Sequence, residues 1–297
     1  MKKITILSGK GGVGKSSITA SLAVELSSRH SIICADCDVD ASNLAIVLGV
    51  EEDNFDQLNP ISTNQKAVFD HEKCISCRKC FDSCYFNAIK WHNHKPSLNK
   101  FGCEGCGVCE LVCPAGAVHL ENVENAKIGF SSTPYGFKIV TGQLGVGESG
   151  SGKIVTAVKS LAEELGNQEE NKAEIMIIDS AAGIGCPVIA SVSGSDYVIA
   201  VTEPTPSGFS DLKRALGIVN NFNIPCGLII NKYDINNEIC NIIEDYAKKQ
   251  KIKILLRIPY DKKFIDALVS LIPIIEYDRA YKPVFRDLAD KISGEIL

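Results

Sequence analysis

The sequence has no surplus of basic residues. Its 31 Lys and Arg face 36 Asp and Glu, a formal charge of −5. That balance gives no reason to expect nucleic acid or an anionic membrane as partner. No apolar run approaches the roughly 20 residues of a membrane-crossing helix. A secretory leader is not expected. The opening MKKITILSGKGG is basic and then apolar, but Ile4 to Leu7 is too short a run and leads into a glycine-rich loop, as a first β-strand would. A disulfide framework is not expected either, because the 13 cysteines are odd in number and nothing points to an oxidising compartment. A reducing, cytoplasmic setting is the expectation.

What is present is a regular cysteine block inside an α/β pattern. The 297 residues suffice for one large α/β domain and a small module. Strands are expected at Lys3–Leu7, Ser31–Ala35, Glu174–Ile178, Tyr197–Thr202, Gly227–Ile230 and Ile252–Leu256. Helices are expected at Ser16–Ser28, Ile154–Leu165 and Asp211–Asn221, up to about Lys249, and near Val284–Ile292. Ile18, Leu22 and Leu26 would form the apolar face of the first helix. Two strands should flank the Pro-Tyr-Gly turn at 134–136. Past Gly49 the pattern gives way to a polar segment. The alternation specifies a doubly wound, mostly parallel sheet. It spans 1–66 and 121–297, interrupted by a cysteine-rich insert at 67–120.

GKGGVGKS, Gly9 to Ser16, fits the phosphate-binding pattern G-x-x-x-x-G-K-[ST] between a strand and a helix. Its glycines let backbone N–H groups close on phosphate oxygens at a helix N-terminus. Lys15 is suited to the outer phosphates and Ser16 to Mg²⁺. Gly9, Lys10, Gly11, Gly12, Val13, Gly14, Lys15, Ser16 and Ser17 are the expected ATP contacts. Lys10 is a second lysine in the loop. With it the motif resembles the deviant Walker A sequence of the superfamily of MinD, Mrp and the nitrogenase iron protein. That resemblance implies that Lys10 crosses an ATP-sandwich dimer interface to the partner's nucleotide. The dimer would be a homodimer, or a heterodimer with a related ATPase.

The same resemblance extends to other segments. ADCDVDASNL is similar to switch I, which implies that Asp38 orients the attacking water and that Asp36 lies near the metal. IIDSAAGIG is similar to switch II, which implies that Asp179 holds Mg²⁺ through water and that Gly183 flips towards the γ-phosphate. Asn231 in LIINK and Pro259 in RIPYD fall where the family forms its adenine pocket.

Cys74, Cys77, Cys80 and Cys84 recur 29 residues later as Cys103, Cys106, Cys109 and Cys113. C-x₂-C-x₂-C-x₃-C, present twice, is the spacing of bacterial two-cluster ferredoxins, in which the fourth cysteine of each run serves the other cluster. The spacing assigns Cys74, Cys77, Cys80 and Cys113 to one [4Fe–4S] cluster and Cys84, Cys103, Cys106 and Cys109 to a second. Paired zinc sites would usually place longer gaps between the CxxC pairs. Tyr85 stands where a proline is expected after Cys84. His92 and His94 read as loop histidines, and Cys34, Cys226 and Cys240 as small hydrophobes. Cys37 is left unassigned.

A second glycine-rich stretch, GVGESGSGKI, nearly repeats the phosphate loop. Ile154 replaces the hydroxyl residue that would hold Mg²⁺, so a second nucleotide site is not expected. The stretch resembles the nitrogenase iron protein segment that carries one cysteine of its intersubunit cluster. Glu148 occupies that cysteine's place, while Cys186 matches the other. The resemblance implies that Glu148 and Cys186 lie on a dimer face and sense nucleotide state.

As a whole the chain resembles MinD-superfamily ATPases with an inserted two-cluster ferredoxin domain. The function this implies is ATP-driven electron transfer to a redox partner that the sequence does not identify. One alternative is an iron–sulfur cluster scaffold or carrier of Mrp type, although Cys226 and Cys240 are far apart in sequence. The other is a MinD-like positioning ATPase. The closing KPVFRDLADKISGEIL mixes three basic with three acidic residues, so a stable membrane anchor is not expected.

Overall fold

A computed structural model describes residues 1–50, 57–169 and 172–296. Residues 51–56 of the polar segment expected after Gly49 lie outside the described residues. The strands are β1 (Lys2–Ser8), β2 (Ile32–Cys37), β3 (Gln57–Ile61), β4 (Asn64–Phe69), β5 (Ile89–His92), β6 (Lys95–Leu98), β7 (Val118–Val123), β8 (Ala126–Ser132), β9 (Lys138–Leu144), β10 (Ile175–Ala182), β11 (Tyr197–Thr202), β12 (Cys226–Asn231) and β13 (Lys253–Ile258). The helices are α1 (Lys15–Ser27), α2 (Leu44–Val47), α3 (Lys79–Asp82), α4 (Val108–Leu111), α5 (Ser151–Gly166), α6 (Cys186–Val192), α7 (Pro206–Asn221), α8 (Asn237–Lys249), α9 (Lys263–Val269), α10 (Ile274–Tyr277) and α11 (Lys282–Ile296).

These elements fall into two compact units. One comprises Met1–Leu58, Ile128–Gln143 and Ser151–Leu297; the other comprises Asn59–Lys127 and Leu144–Gly150. The first unit is built on a sheet in which β13, β12, β11, β1, β10, β2, β9 and β8 follow one another in that order. Every pairing from β13 through to β9 is parallel. The central strands are apolar and buried along almost their whole length, as a sheet covered on both faces requires. β1 lies between β10 and β11, so the loops after β1, β2 and β10 open at one edge of the sheet, where such folds bind ligands.

α1 differs from its expected one-sided form. It is buried all round from Ile18 to Leu26, Thr19, Ser21 and Glu25 included, because it packs on the sheet and also against α2, α10 and α11. α7 starts five residues before the expected Asp211. The Thr205 hydroxyl caps it by accepting from Gly208 N at 3.0 Å, and Pro206 fits its first turn. Ile154, the residue that spoils the second loop motif, is fully buried in α5. Lys159, further along α5, is also buried. Its ammonium donates to the carbonyls of Ala190, Ser191 and Ser193 at 2.8, 2.9 and 2.6 Å, closing the C-terminus of α6.

The second unit is small. β4 pairs antiparallel with β7, and β5 with β6, around a core of Ala67, Cys80, Ile89 and Val118. The 29-residue repeat read from the cysteines is a repeat of backbone as well. α3 and α4 are equivalent, and positive φ angles recur in pairs: Ser76 and Gly105, Arg78 and Gly107, Asn87 and Gly116. At Gly105 the need for glycine is also steric, since a Cβ would lie 2.3 Å from Gln65 O.

Candidate functional site

The phosphate loop turns at Gly12 and Gly14, with φ of 79° and 89°. A side chain on Gly9 would meet the Asp211 carbonyl at 2.3 Å, so that position must be bare for the loop to lie against α7. Gly14 caps α1 without a side chain, which leaves the helix N-terminus open to an anion. Beneath the loop, Asp179 gathers three side chains. Lys15 Nζ lies 2.9 Å from Oδ2, Ser16 donates to Oδ2 at 2.7 Å, and Thr19 donates to Oδ1 at 2.7 Å. Lys15 is 6% exposed and makes no well-directed hydrogen bond, so its ammonium has donors to offer to phosphate.

Asp36 sits one strand away from Asp179, in register with it across β2 and β10. It accepts from Leu44 N at 3.0 Å and from Asp38 N at 3.1 Å. Burial, and then repulsion from Asp179, push its carboxyl up to about 7; Lys15 and the two N–H groups oppose the rise. Asp38 is partly exposed, and burial raises it too. Gly183 has φ of 101° with open space where a Cβ would be, and its N–H donates to Ser8 O at 2.9 Å. A hydroxyl, a lysine and paired carboxylates beside an open helix N-terminus suit a nucleotide phosphate with a divalent cation.

Other residues singled out in the sequence lie around this centre. The Asn231 amide donates to Val13 O at 2.8 Å, and Pro259 is exposed at the end of β13. Lys10 Nζ lies 2.7 Å from Glu203 Oε1 of its own chain, within reach of Thr205 and Ser207. Glu203 also takes Lys232 at 2.9 Å. Sequence reasoning missed Glu203, Lys232 and Thr19. Only Thr19 left a signal, one turn beyond Lys15 on the same helix face.

The cysteines of the second unit ring two hollows. Cys84, Cys103, Cys106 and Cys109 line one, and Cys74, Cys77, Cys80 and Cys113 line the other. These are the two crossed sets that the spacing assigns. Ala88 N donates to Cys84 Sγ at 3.3 Å, and Ala117 N donates to Cys113 Sγ at 3.2 Å, at equivalent points of the repeat. Among the described residues no three Cys, His, Asp or Glu side chains converge on a point that could hold one metal ion. Four thiols spread around a hollow suit a group that presents four separate irons better than a single ion.

The second glycine-rich loop is divided between the units. Leu144–Gly150 belongs to the cysteine-bearing unit, and α5 opens in the other at Ser151. Glu148 forms an ion pair with Lys66, whose Nζ lies 2.6 and 2.7 Å from its two oxygens. Cys186 is exposed, and its Cβ lies 3.2 Å from where a side chain on Gly152 would begin. Cys34, Cys37 and Cys240 are buried, and His92 and His94 are exposed.

A model of the CobQ/CobB/MinD/ParA nucleotide-binding domain matches residues 4–274. The chain belongs to this family. Members of the MinD/ParA family are ATPases that commonly form dimers, and binding of ATP or ADP with Mg²⁺ is expected of them. The uncharacterized protein MJ0578 of Methanocaldococcus jannaschii is 37% identical over 238 residues, 79% of this chain and of that protein. An iron–sulfur cluster carrier protein of Pyrococcus horikoshii is 24% identical over 310 residues, covering 99% of this chain and 86% of its own. Among solved structures, the septum site-determining protein MinD of P. horikoshii, complexed with Mg-ADP, aligns with a TM-score of 0.60. It covers 98% of this chain and 95% of that one at 20% identity, a likeness of fold. Among the described residues no helix is long and apolar enough to cross a membrane.

Proposed function

We propose that this MinD/ParA-type ATPase couples nucleotide-driven dimer switching to electron transfer through two [4Fe–4S] clusters. The observation that carries the proposal is the pair of four-cysteine hollows, whose membership follows the crossed two-cluster pattern. Cys74, Cys77, Cys80 and Cys113 would hold one cluster, and Cys84, Cys103, Cys106 and Cys109 the other. Bound there, such clusters supply one-electron chemistry. The chain's own residues set the rest. Ser16 and Asp179 hold Mg²⁺, with Asp36 close by; Lys15 holds the outer phosphates; Asp38 orients the attacking water. Asn231 and Pro259 border the adenine, and Lys10 reaches the partner's nucleotide. Gly183 is the flexible point at which the γ-phosphate is registered.

The test is anaerobic purification with iron and sulfide analysis, followed by EPR redox titration with and without ATP. About eight irons and eight acid-labile sulfides per chain are expected, with potentials that shift on nucleotide binding. Potentials and spectra indifferent to ATP would sink the coupling.

A second reading, cluster delivery, is favoured by relatives named iron–sulfur cluster carrier proteins. ATP-dependent transfer of iron and sulfide from this chain to an apo-acceptor would establish it instead.

A further inference from the structure

The two halves of the cysteine repeat are not alike. From Lys73 to Lys100 the chain carries six basic residues and a single acid, Asp82. From Phe101 to Ala126 it carries four glutamates and no lysine or arginine. Backbone and cysteines repeat between the halves; charge reverses.

Apolar exposure gathers at the hollow of Cys84, Cys103, Cys106 and Cys109, to which both halves contribute. Phe86 and Val108 line the hollow of Cys84, Cys103, Cys106 and Cys109, and they are 42% and 39% exposed. Leu111, three residues on from Val108 along α4 and so on the same face, is 86% exposed. Tyr85 touches Phe86 edge-on and is 88% exposed. Exposed Glu104 lines the same hollow, and exposed Glu110 lies on α4 between Val108 and Leu111. Around the other hollow, Ile75 is the one large exposed apolar residue in the lining, beside Arg78. Grouped exposed apolar side chains with a charged border mark an interaction surface.

We propose that the Cys84/Cys103/Cys106/Cys109 end is the docking face for a redox protein whose cofactor edge is apolar and ringed by lysine or arginine. The proposal rests on the electron-transfer reading above. Tyr85, Phe86, Val108 and Leu111 form the dry contact; Glu104 and Glu110 steer the partner and set its register. A contact made by so few side chains suits a brief encounter rather than a permanent complex.

The probe is a lysine-rimmed c-type cytochrome, mixed anaerobically with the dithionite-reduced holoprotein. Each transfer takes one electron from the protein and converts one ferric haem to ferrous, with no bond made or broken. Equilibrium binding of the cytochrome to the holoprotein is measured in parallel by calorimetry.

The second-order rate is expected to fall as salt rises. Glu104→Gln with Glu110→Gln should lower the low-salt rate roughly tenfold. Val108→Ser with Leu111→Ser should weaken binding and slow transfer at every salt concentration. Glu238→Gln with Asp245→Asn removes the same charge from exposed positions on α8 and should leave both nearly unchanged.

Equal slowing by the two charge pairs would show that only net charge matters and overturn the proposal. So would unaltered binding in the Val108/Leu111 variant, or wild-type self-association that this variant abolishes. A protein that binds the cytochrome through this face but yields no electrons would overturn the electron-transfer reading and leave the docking face standing.

Discussion

Lys10 Nζ lies 2.7 Å from Glu203 Oε1 in the same chain. Burial alone would push the Glu203 carboxyl up, but hydrogen bonds from Lys10 and Lys232 outweigh it and hold the group below the usual carboxylate range. If Lys10 serves the partner's nucleotide, it must first leave this carboxylate. Glu203→Gln weakens the hold and should lower the ATP concentration needed for half-maximal dimerisation by roughly three- to tenfold. Light scattering across an ATP titration reads this. An unchanged midpoint would mean that the pairing does not oppose assembly.

Thr19 lies below the phosphate loop and fixes Asp179 from the side opposite Ser16. Thr19→Val keeps the shape and removes that hydrogen bond, leaving Asp179 held through Oδ2 alone by Lys15 and Ser16. Hydrolysis should slow by about tenfold with little change in ATP affinity, because the bond orients a metal-holding carboxylate and does not touch the phosphates. Steady-state ATPase assays with nucleotide binding measured separately distinguish this from simple loss of fold.

Asp36 gives the nucleotide-free protein a pH dependence of defined sign. Its carboxyl titrates at about 7 in the fold, against 3.8 for an unperturbed aspartate. Between those values the folded chain keeps a proton that the unfolded chain has lost. Its contribution therefore favours folding at low pH and is lost as pH rises through the folded value. The melting temperature of the wild type relative to Asp36→Ala should be higher at about pH 5 than at about pH 8, measured without Mg²⁺. A difference independent of pH would show that Asp36 is ionised throughout.

Much of this was legible from residue order, for identifiable reasons. The phosphate loop could be read because Gly9, Gly12 and Gly14 meet backbone demands that few other residues meet. The cysteine sets could be read because ligand spacing is imposed by the bound group. The sheet could be read because buried parallel strands are apolar along their length. Less visible were the contacts that depend on distant segments. Glu203, beyond β11, meets Lys10 from the end of β1, and no local pattern marks it. α6 is short, and β3 contains Pro60 and lacks clean alternation, so neither gives a periodic signal. The partition of the second glycine-rich loop was also hidden, because its glycines and lysine look like one motif while its ends serve different units.

Lys66 and Glu148 pair at 2.6 Å. Lys66 is 6% exposed, on β4, and Ser149 receives a further bond from Asn64 at 2.9 Å. The loop is thus held to β4 by two neighbouring contacts, and Ala67, next to Lys66, belongs to the core of this unit and lines a cysteine hollow. Removing Glu148 alone leaves a buried ammonium without its counter-charge, a cost of about 3 kcal/mol. Replacing both members, as Lys66→Met with Glu148→Leu, removes the charges together and should restore most of that loss. Hydrogen exchange at β4 and at Leu144–Gly150, compared among the two single variants and the double, measures the coupling. Strict additivity would reduce the pair to two uncoupled charges; strong non-additivity makes it the clasp that holds this loop against β4.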